Sequence, residues 1–161
     1  KIPLWVEEVL RSDLLQNLHI IKNKKIKLSY GENFNSIFDF INLINHYKFN
    51  YINPDLSHFD LFDFAKLSDY LTKKGRSKKI IVHCWGGSIN FIVSMLYAYA
   101  DTNQVKMVEF PITKSKFMNK AMNLIQIKNS RCYIDEIKSF SEVIDFNALE
   151  KIKTSKLTFN F

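Results

Sequence analysis

Short runs of β-branched and aromatic residues alternate with longer segments in which apolar residues recur three and four positions apart. The first pattern is typical of strands buried on both faces, and the second of amphipathic helices. Together they predict five strands, at 4–6, 26–30, 51–53, 80–82 and 106–108. They also predict five helices, at 12–22, 36–47, 61–73, 89–100 and 117–124. Ser12 and Ser88 are the candidate N-caps of the first and fourth helices.

Each predicted strand ends in a titratable residue, and these are Glu7, Glu32, Asp55, His83 and Glu109. Successive members lie 25, 23, 28 and 26 residues apart, about the length of one strand with its covering helix. A titratable side chain repeated at this phase is typical of the catalytic face of a (β/α) barrel. We therefore predict an α/β fold, a partial (β/α) TIM-type barrel of about five parallel strands with covering helices. The alternative is that these are unrelated loop residues.

The most informative stretch is 80–90, where a β-branched strand ends in His83 and continues through Gly86 and Gly87 into an apolar helix. Paired glycines permit a tight turn or a close approach by a ligand. His83 is therefore predicted to be functional, with a structural histidine as the alternative. Cys84 follows it on a strand and points to the opposite side, so a Cys–His nucleophilic pair is not expected. Three histidines outside the repeat are expected to be surface or packing residues: His19, His46 and His58.

The pattern changes after residue 124. Alternating residues at 125–128 and 132–134, joined by a turn at 129–130, predict a small hairpin. A short helix at 148–152 and a final strand at 157–159 are also predicted. Since no linker or low-complexity segment interrupts the chain, we predict one domain over 1–161. It comprises five βα units in 1–124 and a C-terminal extension in 125–161.

The 161 residues carry a formal net charge of +7, concentrated in two basic runs at 22–27 and 73–79. Each run follows a predicted helix, where lysines complement the helix dipole and keep a loop solvated. A basic nucleic-acid-binding module is the less favoured alternative, because no basic-aromatic stripe accompanies the charge. The two cysteines have neither metal-type nor disulfide-framework spacing. With no apolar run long enough to span a membrane, we expect a cytoplasmic protein.

The motifs at the strand ends form an ordered set: Glu7-Glu8, Gly31-Glu32-Asn33, Asn53-Pro54-Asp55, His83 with its glycine pair, and Glu109-Phe110-Pro111. This set resembles the carboxyl-terminal half of the mandelate racemase and muconate-lactonizing branch of the enolase superfamily. The resemblance runs from about residue 5 to residue 152. It implies an enzyme that uses Mg²⁺ to remove the proton α to a carboxylate, in the racemisation or dehydration of a hydroxy or sugar acid.

The resemblance also implies roles for individual residues. Glu7 and Glu32 would bind Mg²⁺, whose preferred ligands are oxygens. His83 would be the general base or acid, oriented by Asp55, since a carboxylate on the second ring nitrogen fixes the tautomer. Glu109 would hydrogen-bond the developing enediolate, which requires a raised pKa. Glu8 is expected to face away from the metal.

The chain also departs from the family pattern. A full barrel takes about 250 residues, and the five strands here resemble only the family's fourth to eighth. The third metal carboxylate and the strand-two lysine base have no counterpart, Val9 replaces the usual proline, and residues 57–59 replace a glycine pair. An open half barrel exposes strand edges and needs cover. We expect the missing amino-terminal half, in the same or another chain, or a second copy of this chain. The alternative function is an inactive, truncated or split remnant that acts only in assembly.

Overall fold

Five parallel strands form one sheet in the order β1-β2-β3-β4-β5. The structure is a computed structural model that describes residues 3–21, 25–77, 79–85, 88–110, 125–129, 131–134, 147 and 150–151. The strands are β1 (Val6–Glu7), β2 (Leu28–Tyr30), β3 (Tyr51–Ile52), β4 (Ile80–Val82) and β5 (Val105–Val108). Each begins and ends within two residues of its predicted position. The predicted partial α/β barrel, with sequential parallel strands, is confirmed.

Three α-helices connect these strands: α1 (Ile37–His46), α2 (Leu61–Lys73) and α3 (Ser88–Ala100). Helix α1 begins after Ser36, whose side chain accepts a hydrogen bond from the Phe38 amide. Helix α2 begins after Asp60, which accepts from the amides of Phe62 and Asp63. Ser88 is the first residue of α3 rather than the residue before it, so its predicted position as N-cap was one residue out.

The first predicted helix is also different, because Ser12–Ile20 forms a 3₁₀ segment. Its N-cap is Arg11, which makes no side-chain capping bond, so the predicted Ser12 cap was wrong. Among its apolar residues only Leu15 is buried, and Leu14 is 40% exposed. Leu15, Leu18 and Ile21 recur every three residues, which is the period of a 3₁₀ helix. The segment therefore follows a tighter period than the predicted α-helix.

The hydrophobic core lies between the sheet and its helices. Ile52, Ile80 and Val82 come from the strands and pack with Phe40 of α1 and Phe64 of α2. The Phe64 ring lies 4.3 Å from the Tyr97 ring of α3 and 6.3 Å from that of Phe59. Burying a large apolar side chain contributes about 1.5–3 kcal/mol, so these rings fix the helices on the sheet. We call the sheet face that carries this core the outer face.

The strand register places polar residues on the opposite, inner face. Ser29 lies beside Glu7 on one side and Tyr51 on the other, while Tyr30 pairs with the core residue Ile52. Since successive side chains alternate between faces, the sequence positions of Glu7, Ser29 and Tyr51 share the inner face. A further parallel bridge joins Asp55 to His83 just beyond the strands. The titratable strand-end residues therefore converge at one edge of the sheet.

The predicted hairpin is present as β6 (Ile125–Lys128) and β7 (Arg131–Ile134), which pair antiparallel. Asn129, at its turn, has a positive φ of 51°. The predicted helix at 117–124 and strand at 157–159 lie outside the described residues, as does most of the predicted helix at 148–152. The division of the chain into five βα units and an extension stays a prediction.

No described helix combines the length and the apolar character that crossing a membrane requires. The cytoplasmic location stays a prediction.

Candidate active site

His83 lies at the centre of the predicted strand-end residues. Its Nδ1 is 2.7 Å from Oδ2 of Asp55, and its Nε2 is 3.5 Å from Oε2 of Glu32 and 3.8 Å from Oε2 of Glu109. Glu7 belongs to the same group, because its carboxylate is near enough to Glu109 to raise the pKa of that residue. The structure therefore brings together all five residues that the sequence singled out. One ring nitrogen of His83 is thus held by a carboxylate, and the other faces two carboxyl groups.

Asp55 is held as a carboxylate. It is 2% exposed, and its Oδ1 accepts from the Ser57 amide at 2.7 Å and from Nδ2 of Asn90 at 2.9 Å. Burial raises the pKa of Asp55, but the hydrogen bonds from His83, Ser57 and Asn90 outweigh it and hold this pKa well below its ordinary value. The ionised carboxylate therefore keeps the Nδ1 proton of His83 in place.

The charge state of His83 follows from the same contacts. The hydrogen bond to Asp55 raises the pKa of His83, burial opposes that rise, and the negative charges of Glu109 and Glu32 add to it. The histidine is thus a better proton acceptor than a free imidazole.

The pKa of Glu109 is shifted in the opposite direction to that of Asp55. Burial first, and then the neighbouring Glu7 carboxylate, raise the pKa of Glu109 to about 7. The raised pKa favours the protonated form of Glu109 below about pH 7. The Cys84 amide donates to its Oε2 at 3.4 Å, while its buried Oε1 has no donor among the described residues. Asp55 and Glu109, whose pKa values are shifted in opposite directions, thus face the same histidine.

Comparison with solved structures decides the fold. A mandelate racemase/muconate lactonizing enzyme from Jannaschia sp. CCS1 is 16% identical, with a TM-score of 0.76 over 98% of this chain and 40% of that chain. An enolase from environmental shotgun sequencing of the Sargasso Sea is 23% identical, with a TM-score of 0.76 over 95% of this chain and 41% of that one. The 3,6-anhydro-D-galactonate cycloisomerase from Zobellia galactanivorans is 18% identical, with a TM-score of 0.71 over 91% and 42%.

The chain shares the fold of part of each of these three solved structures. The predicted resemblance is thereby confirmed at the level of the fold. The chain spans about two fifths of the length of these neighbours. No protein-family model and no curated protein matches it.

The sequence resemblance implies Mg²⁺, and the donor atoms can be tested against that ion. Glu7 and Glu32 offer carboxylate oxygens at the ends of adjacent strands, the donor type that Mg²⁺ prefers. Mg²⁺ takes about six oxygen ligands, and the described residues contain no cluster of three or more side chains arranged to hold a metal ion. The donors therefore fit Mg²⁺ in kind, and further ligands must come from outside the described residues.

Glu8 points away from this group, as its side chain binds the next strand end. Its Oε1 accepts from the Gly31 amide at 2.7 Å, and burial raises the pKa of Glu8. Its positive φ of 44° reverses the chain direction between Glu7 and the 3₁₀ segment. Glu8 thereby ties the end of β1 to the turn that carries Glu32.

Sequence reasoning missed two supporting residues of the site. Asn90 lies in the first turn of α3 and donates to Asp55, and the 28-residue spacing of Asp55 and His83 gives no hint of it. His58, expected to be a surface or packing residue, places its Nε2 2.7 Å from the Glu32 carbonyl oxygen. Cys84 is buried, which raises the pKa of its thiol to about 12, so it is not a nucleophile partner for His83.

Proposed function

We propose that this chain is the carboxyl-terminal catalytic barrel portion of a mandelate racemase-like enzyme. The reaction is removal of the proton α to a carboxylate, leading to racemisation or dehydration of a hydroxy or sugar acid. The observation that carries the proposal is the His83 imidazole, which is held through Nδ1 by ionised Asp55 and faces the Glu32 and Glu109 carboxyl groups through Nε2. The fold shared with a mandelate racemase/muconate lactonizing enzyme and an enolase supports it.

Each side chain has one task in this proposal. Nε2 of His83 accepts the α-proton, and the imidazolium that forms is stabilised by Asp55 at 2.7 Å. Glu109, protonated below a pKa of about 7, donates a hydrogen bond to a carboxylate oxygen of the substrate as negative charge develops there. Exchange of the proton at Nε2 with solvent and its return to the same face of the carbon would complete an exchange reaction. Racemisation would also need a proton donor on the opposite face, which we propose lies on the missing part of the barrel.

Glu7 and Glu32 would hold Mg²⁺ beside this group. When bound, the ion acts as a Lewis acid that stabilises negative charge on the substrate carboxylate. Because the Glu7 carboxylate raises the pKa of Glu109, a cation bound by Glu7 would favour loss of the Glu109 proton, so Mg²⁺ binding and proton donation by Glu109 would oppose each other. We propose that the missing part of the barrel supplies further Mg²⁺ ligands, which would allow Mg²⁺ binding and proton donation by Glu109 to occur together.

The proposed enzyme is incomplete without that part. β1 and β5 each have one sheet neighbour among the described strands, and an unpaired strand edge is open to another strand. We propose that the amino-terminal barrel strands, in the same chain or another, close the barrel, with a second copy of this chain as the other possible arrangement. The chain by itself is then expected to be inactive.

Deuterium exchange tests the function. The protein, isolated together with whatever completes its barrel, is incubated in D₂O with a panel of hydroxy and sugar acids, with Mg²⁺ or with a chelator. Proton NMR is expected to show Mg²⁺-dependent loss of an α-proton signal. His83→Asn should lower this rate by about 10²–10⁴-fold, since general-base catalysis is lost. His46→Asn, an exposed position at the end of α1, is the matched control and should leave the rate unchanged.

A non-catalytic assembly role is the second candidate. It is favoured by the described residues lacking a group of three metal-ligating side chains. Isothermal titration of the completed assembly with Mg²⁺ separates the two candidates. Absence of both binding and exchange would support the assembly role, whereas exchange that persists in His83→Asn would remove this histidine from the mechanism.

A further inference from the structure

Two lysines and a tyrosine meet at the amino-terminal end of the sheet's inner face. We call Lys27, Tyr51 and Lys106 the inner basic cluster. Nζ of Lys106 donates to the Tyr51 hydroxyl at 2.8 Å and lies 4.8 Å from the ring centroid. Nζ of Lys27 lies 5.9 Å from the same centroid, and the Trp5 ring packs edge-on against it at 6.3 Å. Two cations from strands that are not neighbours thus converge on one aromatic ring.

The sheet geometry explains why these groups share the inner face. Tyr51 pairs with Ser29, which pairs with Glu7, and Lys27 lies two residues before Ser29. Lys106 reaches the same face through an irregularity in β5. Ile80 pairs with Val105 and Ile81 pairs with Met107, so Lys106 is an extra residue in the ladder. Such a bulge redirects a side chain, here toward Tyr51.

The inner basic cluster is not part of the candidate active site. Tyr51 begins β3, whereas Asp55 lies four positions later, beyond the carboxyl end of that strand, and at about 3.3 Å per extended residue this separates them by about 13 Å. The active-site end already has its own carboxylates and histidine. A substrate bound at His83 would leave the two lysines uncompensated.

Lysine side chains on the inner face of the sheet are unusual for the interior of a barrel. The interior of a closed barrel is a packed core made mainly of branched apolar side chains. Tyr51 is 7% exposed, whereas Lys27 and Lys106 are exposed in this chain and would be covered once the barrel closes. A lysine removed from water without a counter-charge is strongly destabilising. Closure of the barrel therefore requires an anion at this layer.

The described part of the chain does not supply that anion. Its salt bridges include Lys66 with Asp63 at 2.8 Å and Lys73 with Asp69 at 2.6 Å, both on α2, and none that involves the inner basic cluster. Other polar atoms of the inner face, in the Tyr51 layer and in the next layer toward the active site, are also unsatisfied among the described residues. Oγ of Ser29 and both polar side-chain atoms of Asn53 are buried without a hydrogen-bond partner among the described residues. The inner face thus lacks polar partners at two successive layers.

We propose that the inner basic cluster receives an aspartate or glutamate side chain from the protein segment that completes the barrel. The carboxylate enters between Lys27 and Lys106 and is held by two ammonium groups and the Tyr51 hydroxyl. Charge complementarity favours this occupant, since an apolar strand would leave both lysines buried and unpaired. The inference rests on the proposed closure of the barrel and is independent of the proposed chemistry at His83.

Carbodiimide cross-linking tests the proposal, because this reagent joins a lysine amine to a carboxylate only where the two are in contact. The native protein is purified from its source cells with its full chain and partners, treated with the carbodiimide, and digested for mass spectrometry. Lys27 or Lys106 is expected to be joined to an aspartate or glutamate outside residues 1–161. The helix pairs Lys66–Asp63 and Lys73–Asp69 are internal positive controls. If these controls react and the cluster lysines react only within 1–161, or not at all, the proposal is overturned.

A matched pair of variants gives a second measurement. Lys106→Met removes a cation of the cluster, and Lys74→Met removes a cation of similar geometry on the helix surface, where Nζ lies 5.5 Å from the Tyr70 centroid. Lys106→Met is expected to weaken closure roughly tenfold or more, measured as dissociation of a separate chain or as population of the opened form in hydrogen exchange. Equal effects of the two variants would overturn the proposal. Failure of α-proton exchange with a positive cross-link would overturn only the proposed chemistry.

Discussion

The two faces of the parallel sheet are built on different principles. The outer face is closed by the chain's own helices, with Phe40, Phe64 and Leu67 at 0% exposure. The inner face carries the candidate active site at one end and the inner basic cluster at the other, with unpartnered polar atoms between them. Helices connecting sequential parallel strands can cover only one face of such a sheet.

The comparison shows which face of the sheet is packed by this chain's own residues. The outer face satisfies its packing within 161 residues, so local and tertiary preferences agree there. The inner face forms hydrogen bonds around His83 and between Lys106 and Tyr51, but it leaves two lysines without a counter-charge and buried polar atoms without a partner among the described residues. Similar substitutions on the outer and inner faces should therefore change the free energy of unfolding by different amounts or in opposite directions.

The largest expected effect is on the outer face. Phe64→Ala removes a 0% exposed ring that packs between Phe59 and Tyr97, and should lower the free energy of unfolding by about 3–5 kcal/mol. Phe62→Ala, two residues earlier in α2 and 78% exposed, should change it by less than about 0.5 kcal/mol. Urea denaturation followed by circular dichroism measures both. Similar losses in the two variants would mean that the helix does not pack through Phe64.

A second prediction concerns Gly31, in the turn between β2 and α1. Gly31 has a φ of 123°, and a Cβ added there would lie 2.4 Å from Cε1 of the buried Phe40 ring. Gly31→Ala combines backbone strain with a displaced core ring, so it should cost about 2–4 kcal/mol.

Gly75→Ala is the control for backbone strain alone. Gly75 also has a positive φ, of 65°, but a Cβ there would meet no atom within 4 Å. We expect a cost of about 1 kcal/mol. If thermal denaturation gave Gly31→Ala and Gly75→Ala the same loss, the contact of Gly31 with Phe40 would be refuted.

The sequence predicts the packing of the outer face and the positions of the site residues for the same reason, which is their regular spacing. Helix α2 runs from Leu61 to Lys73 as its spacing predicted, because Phe64, Leu67 and Leu71 are all buried by one sheet. The 28-residue spacing placed Asp55 and His83 at adjacent strand ends, where the parallel register brings them within 2.7 Å. Periodicity works where a regular element meets a continuous core.

The rest depends on contacts that have no regular period. The positive φ of Glu8 follows from the hydrogen bond that its side chain makes to Gly31, 23 residues away. The approach of Lys106 to Tyr51 depends on an irregular register between β4 and β5. The 3₁₀ form of Ser12–Ile20 was missed because Leu14 and Leu18 also satisfy α-helical spacing, and only packing decides between the two periods.

A third prediction tests the ionised state of Asp55. Its pKa is held below the ordinary value, so its contribution to stability is fully present above about pH 4 and is lost as the pH falls toward the lower pKa of the folded protein. Asp55→Asn should lower the free energy of unfolding by about 1–3 kcal/mol at pH 7, and the difference from the wild type should shrink with acidification. Urea titrations at several pH values between 7 and 3 measure this. A difference that stayed constant with pH would mean that the carboxylate is not the stabilised form.

The smallest effect compares one substitution in two settings. Ser36→Ala removes the side chain that accepts from the Phe38 amide at 3.2 Å, and should cost about 1 kcal/mol as a lost N-cap. Ser29→Ala removes a hydroxyl that is buried on the inner face without a described partner, so it should be neutral or stabilising by up to about 1 kcal/mol. Differential scanning calorimetry at matched protein concentration measures the two shifts in Tm. A loss at Ser29 as large as that at Ser36 would show that the inner-face hydroxyl already has its partner, and that this layer of the barrel is closed.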